Sequence, residues 1–266
     1  MKGYGSYCPI AKAAEILTER WTLLLLRDLL LGARHFNDLR LSIPLIPPAT
    51  LSKRLKSLQE AGIIDHVCEG GSWEYRLTKA GTALKPFMDL AGEWGQRWVR
   101  SQLLRHELHP STLMWDIHRF IKAEHLPKRR TVIYFEFSDL RRMKRWWLVI
   151  ERGEVDVCLD DPGHDVDLSV YTDLRTLAEV FMGDLPLGRA KSNDRFTLVG
   201  NSDVVKSMPK WFGLMPFSHI KPRLRPASAE ELRAAIPLPP PSLSPAPSYR
   251  AGRAARNKSA RPRSSP

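Results

Sequence analysis

No apolar run in this 266-residue chain comes near the roughly 20 residues that a membrane span requires; the most apolar, Trp21 to Leu31, is interrupted by Arg27 and Asp28. The opening Met1-Lys2-Gly3-Tyr4-Gly5-Ser6 lacks the apolar core and small-residue cleavage site of an export signal, so the cytoplasm is the expected compartment and no membrane partner is expected. Cysteine is scarce. Cys8, Cys68 and Cys158 stand apart without CxxC spacing, which indicates neither a disulfide framework nor a structural zinc site. GxGxxG, Walker and HExxH motifs are missing, and the eight histidines form no nucleophile–base pattern with Ser or Cys. Asp160, Asp161, Asp165 and Asp167 lack the spacing and closing Glu of a calcium loop and read as a solvated turn. No enzymatic activity, metal or cofactor is expected.

What is abundant is positive charge, +12 in all, but its distribution decides what it means. Residues 1–101 hold 14 Lys and Arg against 10 Asp and Glu, residues 102–236 hold 21 against 19, and residues 237–266 hold six basic residues and no acid. Half of the net charge thus lies in the last 30 residues. The overall basicity is therefore weak support for a nucleic-acid partner, and local arrangement has to carry that reading.

The organisation is that of two α+β units and a tail. Residues 8–62 carry three closely spaced helical patterns, broken at Gly32 and at Pro44 to Pro48. Alternating runs at Ile63 to Val67 and Trp73 to Leu77 flank Glu69-Gly70-Gly71-Ser72 and predict a hairpin. Thr78 then offers an N-cap for a longer helix to about Val99, with Pro86 in or near its first turns. That order is a winged helix. A second domain, placed at 102–225, has a helix around Leu113 to Ile121, strands at Thr131 to Phe137, Trp146 to Ile150, Val155 to Leu159, Val166 to Tyr171 and Phe196 to Val199, and helices at Asp173 to Met182 and before Phe212. Residues 226–266, rich in Pro, Ser and Arg, read as a disordered basic tail that either adds salt-sensitive DNA affinity or simply solubilises the chain.

The most informative segment is Pro48 to Gly62. Leu51, Leu55 and Leu58 share one helical stripe, which leaves Ala49, Lys53 and Lys56 opposite, with Thr50, Ser52 and Ser57 on the flanks. Short side chains near the helix start allow close approach to a major groove, hydroxyls and Lys reach base edges, and basic residues hold phosphates. A solvated face of an ordinary surface helix has the same composition; the position between short helices and a Gly-Gly hairpin favours DNA. Ala49, Thr50, Ser52 and Lys53 are expected at bases, and Arg40, Arg54 and Lys56 at phosphates, with Ser57 on the same surface.

Cys8-Pro9-Ile10-Ala11, Arg20 to Leu29, Phe36-Asn37-Asp38-Leu39-Arg40, Leu51-Ser52-Lys53-Arg54-Leu55 and Glu74-Tyr75-Arg76-Leu77-Thr78 resemble, in order, the signature blocks of HxlR-type winged-helix regulators. The resemblance implies a homodimer on an inverted-repeat operator in double-stranded DNA, often as a repressor and sometimes as an activator. The wing departs from the family pattern, since its tip carries Glu69 and no base; contact is expected only from the backbone of Gly70, Gly71 and Ser72, and Arg76 is a candidate contact or a plain solvated strand residue. Cys8 matches a cysteine that senses oxidants or electrophiles in some relatives, the alternative being a buried packing residue. Leu84, Phe87, Leu90, Ala91, Trp94 and Trp98, with the first helix around Ala13 to Leu17, form a band expected at the dimer interface, or else under the second domain.

The runs Asp161-Pro162-Gly163, Val166 to Val170, Phe181 to Asp184 and Phe196 to Gly200 resemble a sterol carrier protein 2-like domain. That implies a sheet and helices enclosing an apolar cavity for a small apolar ligand. Trp147, Val149, Val157, Leu168, Val170, Phe181 and Met182 are the candidate wall, or plain core. The competing functional expectation is a lipid carrier or acyl-transfer enzyme that uses the winged helix only to dimerise.

Overall fold

The computed structural model of the chain describes residues 3–99, 103 and 107–221. The proposed boundary at 101/102 and the tail from residue 226 lie outside them. The first unit contains α1 (Pro9–Leu17), α2 (Thr22–Leu30), α3 (Phe36–Ser42), α4 (Pro48–Glu60), a hairpin of β1 (Ile64–Glu69) and β2 (Ser72–Leu77), α5 (Lys79–Thr82) and α6 (Lys85–Trp94), which runs into a π-helical turn at Gly95–Val99. Leu25, Leu26 and Leu29 of α2, Leu39 of α3, Leu51, Leu55 and Leu58 of α4, and Ile64 of β1 make its core. Ile43 and Ile46 are buried in the short α3–α4 turn and so fix the angle between those helices.

Pro48 opens α4 where no amide partner is needed, and Gly62 just beyond its end adopts φ +68°, a conformation costly for any residue with a Cβ. The hairpin turns through Gly70 and Gly71, both at positive φ (+58° and +83°), as a two-residue turn matched to strand twist requires. Thr78 caps as expected, its Oγ1 accepting from the Gly81 amide at 3.1 Å. The single long helix expected after it is instead broken at Ala83–Leu84. Pro86 cannot donate to the preceding turn and sits in the first turn of a new helix.

The second unit starts with α7 (Pro110–Phe120) and a 3-10 turn (Ala123–His125), then β3 (Thr131–Phe137), β4 (Arg145–Glu151), β5 (Glu154–Cys158), β6 (Leu168–Thr172), α8 (Leu174–Phe181), α9 (Leu187–Ser192), β7 (Phe196–Gly200) and α10 (Ser202–Trp211). Its mixed sheet has the order β5-β4-β3-β6-β7, with only the β3–β6 pair parallel. Asp167 secures the return of the chain to β6: its carboxylate accepts from the Val132 amide (2.9 Å) and from Arg129 (2.6 Å). Among the described residues no helix is long and apolar enough to cross a membrane.

Among the described residues the two units are packed together at two places. Helix α7 lies on α3. The ring of Phe217, in the segment after α10, lies directly on α6 at Gly92, where a Cβ would overlap it, and Gln96 Nε2 donates to the Ile220 carbonyl at 3.3 Å.

Candidate nucleic-acid interface

Helix α4 presents two distinct polar surfaces. Ala49, Ser52, Lys53 and Lys56 are exposed together on the side away from Leu51, Leu55 and Leu58. Ser52 Oγ donates back to the Pro48 carbonyl at 3.1 Å, and Lys56 reaches Glu60 only loosely, at 3.8 Å between exposed groups. Arg40 is exposed near the end of α3, and Gly70, Gly71 and Ser72 are exposed at the wing tip.

The other surface turns inward. Arg54 is not a free phosphate ligand: its guanidinium pairs with Glu19 and donates through Nε to the Arg20 carbonyl at 3.2 Å, leaving its side chain 15% exposed. Ser57 lies with Arg54, Ile16, Glu19 and Thr22 around a small depression between α1 and α4. Thr50, one turn before Arg54, is half-buried on the same flank. The clamped linker is itself strained. Trp21 sits at φ +79°, an outlier for an aromatic residue that costs on the order of 1–3 kcal/mol, and the Arg20 guanidinium lies 4.7 Å from its ring centroid. Glu19 went unnoticed in the sequence because helical phase gives the direction of Arg54 but not what lies there.

The wing is electrostatically spent. Arg76 is held by both Glu69 and Glu74, the latter at 2.9 Å, so no surplus positive charge remains on it. His66 is stacked on Tyr75 (centroids 4.4 Å apart) and next to Trp73 (4.7 Å) on the other face of the hairpin.

Cys8 is exposed, and its thiol pKa is lowered by hydrogen bonds from the backbone amides of Ala11 and then Ile10 at the start of α1. Cys158, half-buried, is pushed the other way by desolvation. On α6 the expected band divides. Leu84 faces inward against the first core together with Met88 one turn on, whose amide donates to the Leu84 carbonyl at 3.0 Å, while Phe87, Leu90 and Trp94, and Trp98 in the π-helical turn, are 47%, 66%, 59% and 46% exposed. The Phe217 segment covers the Gly92–Gln96 side instead. Leu17 of α1 is also core, whereas Tyr7, Ile10 and Ala13 are exposed.

The seven proposed wall residues do not share one wall. Val157, Leu168, Val170 and Phe181 join the cluster between the sheet and α7, α8 and α10. Trp147 and Val149 alternate with Leu148 and so point to the opposite face, where Trp147 meets Tyr134 at 5.1 Å. Met182, just past α8, is half-buried.

Residues 16–103 match the HxlR-like helix-turn-helix family. Over 101 residues the chain is 34% identical to YvaP of Bacillus subtilis, an HTH-type transcriptional regulator, covering 94% of that protein and 36% of this one. This chain belongs to the HxlR-like helix-turn-helix family. It is also 39% identical over 93 residues to the HTH-type transcriptional regulator Rv3095 of Mycobacterium tuberculosis, a match spanning 34% of this chain and only 58% of the relative. The structure of quinone-bound YodB from Bacillus subtilis shares 30% identity over 33% of this chain and 96% of that one, at a TM-score of 0.31, too low to inform the chemistry here. The HxlR-like match ends at residue 103, so it concerns the helix-turn-helix unit and leaves the second domain to be read from its own residues.

Proposed function

We propose that this HxlR-like chain is a sequence-specific transcriptional regulator, acting as a repressor, that binds an inverted-repeat operator as a homodimer with α4 in the major groove. The observation that carries this reading is the exposed face of Ala49, Ser52, Lys53 and Lys56 on a helix held by three buried leucines beside the hairpin. The exposed α6 residues Phe87, Leu90 and Trp94 supply the self-complementary surface for a second copy. The second domain, sterol-carrier-like in its sequence blocks, tunes operator affinity when a small apolar ligand enters between its sheet and helices. Such a ligand acts only by binding two states unequally. Oxidation of the exposed, activated Cys8 is a second input. Footprinting on the DNA upstream of the chain's own gene tests the reading: a protected, symmetric site at physiological salt is expected, and uniform, sequence-independent binding refutes it.

The two surfaces of α4 separate in the salt dependence of binding. Lys56→Ala should lower the slope of log K against log salt by about 0.9, one phosphate contact. Arg54→Ala should leave that slope unchanged while weakening specific binding, because Arg54 holds the Glu19–Arg20 linker rather than DNA. An equal loss of slope in both variants would return Arg54 to the phosphates.

A further inference from the structure

Helix α7 is buried on two faces. Leu113, Met114, Ile117 and Ile121 enter the core of the second domain. Ser111, Trp115 and Arg119, spaced i, i+4 and i+8, form another stripe roughly 150° round the helix, and their side chains are also buried. This stripe faces α2 and α3. Ser111 Oγ donates to the Leu41 carbonyl at 2.9 Å, and Arg119 Nη1 donates to Asp28 Oδ1 at 2.8 Å.

Asp28 lies inside α2 with no exposed surface. Arg27 reaches the same Oδ1 at 2.9 Å, and the Ser42 hydroxyl of α3 donates to Oδ2. Asp116, 3.7 Å from Arg119, completes a cluster of two carboxylates and two guanidiniums across the seam. A carboxylate fully removed from water is stable only when its charge is met locally. The first domain provides Arg27, whose side chain is 34% exposed; the buried counter-charge, Arg119 at 6%, comes from the second domain.

We infer that α7 is the joint through which the second domain sets the position of α2 and α3, and with them α4, and that the Asp28–Arg119 pair is its central contact. The inference rests on the reading of α4 as the DNA-contacting helix. Because one face of α7 belongs to the core of its own domain, any rearrangement of that core moves the other face. A moved α7 withdraws Arg119 from Asp28 and Ser111 from the end of α3. The second domain is then an internal partner of the helix-turn-helix, and apolar occupancy of its core is felt at the DNA without direct contact.

The test uses the full chain, a duplex enriched by it from a random library, and amide hydrogen exchange. Arg119→Met is expected to weaken binding at least tenfold and to speed exchange in Phe36–Ser42, a helix of the other domain. Adding Asp28→Asn, which removes the fully buried carboxylate and leaves one carboxylate, Asp116, beside one guanidinium, Arg27, is expected to bring affinity back within threefold of wild type. Arg130→Met, which breaks an exposed pair with Glu151 in the same domain, serves as the control and should change neither readout. Wild-type affinity and exchange in Arg119→Met, or a double variant no better than the single one, overturns the inference. If Arg119→Met does not fold, Arg119→Lys keeps the charge but loses the planar fork. It should weaken binding at least threefold with the same exchange change, and wild-type values there overturn the inference equally. A wild-type chain that enriches no duplex refutes the DNA-binding reading instead, while the exchange measurement still decides whether α7 holds α3.

Discussion

If the chain dimerises as proposed, Leu90→Glu together with Trp94→Glu should convert that dimer to a monomer in sedimentation equilibrium and weaken binding to the proposed operator by more than 100-fold. Both side chains are more than half exposed on the single chain, so the substitutions remove little from its own core and its circular dichroism should not change. In a symmetric interface each position counts twice, and burying a large apolar side chain is worth roughly 1.5–3 kcal/mol. Four carboxylates would replace that burial. A monomer then holds one half-site and forfeits the high effective concentration that joins the second. An unchanged mass at micromolar protein would place the partner surface elsewhere, with the exposed Tyr7 and Ile10 of the N-terminal region as the next surface to probe.

The second large effect is expected on α4. Lys53→Glu should abolish the distinction between operator and random DNA, and Lys53→Ala should reduce it by about 1–3 kcal/mol, roughly 5- to 150-fold, the usual worth of one base contact. Thr50→Ala should do less than Lys53→Ala, because Thr50 is half-buried on the flank that carries Arg54. These variants should keep the proposed dimer, since Lys53 and Thr50 lie on α4 and neither belongs to the α6 stripe. Competition titrations with operator and scrambled duplex at fixed salt measure the difference. Equal discrimination by wild type and Lys53→Glu would mean that another surface reads the sequence.

The contrast between Lys53 and Arg54 shows where sequence reasoning stops. Both are basic and adjacent on one helix, and leucine periodicity separates their directions by about 100°. Periodicity does not reveal that Glu19 and the Arg20 carbonyl occupy the direction of Arg54, because that juxtaposition requires α1 and α4 to be packed. Leu84 was assigned to the wrong side for a related reason. Helical phase puts it between Phe87, three residues on, and Met88, four residues on, and packing decides for the Met88 side, which lies on the first core. In the second domain the strands were legible from their β-branched and aromatic runs. Which neighbours share a face was not, and the register that pairs Leu148 with Val157 sends Trp147 and Cys158 to the opposite side.

Local physics was enough for α4 and the wing. Three leucines at helical spacing, a proline at the first turn and a glycine after the last define α4, and two consecutive glycines define the wing, because these depend on backbone conformation and burial periodicity within a dozen residues. The meaning of Asp28 was settled only by tertiary structure. In the sequence it merely interrupts an apolar run; in the fold it is a fully buried carboxylate whose counter-charge, Arg119, lies 91 positions away in the other domain. Burial of a charge is decided by what surrounds it in space, and that surrounding is the contact between the domains.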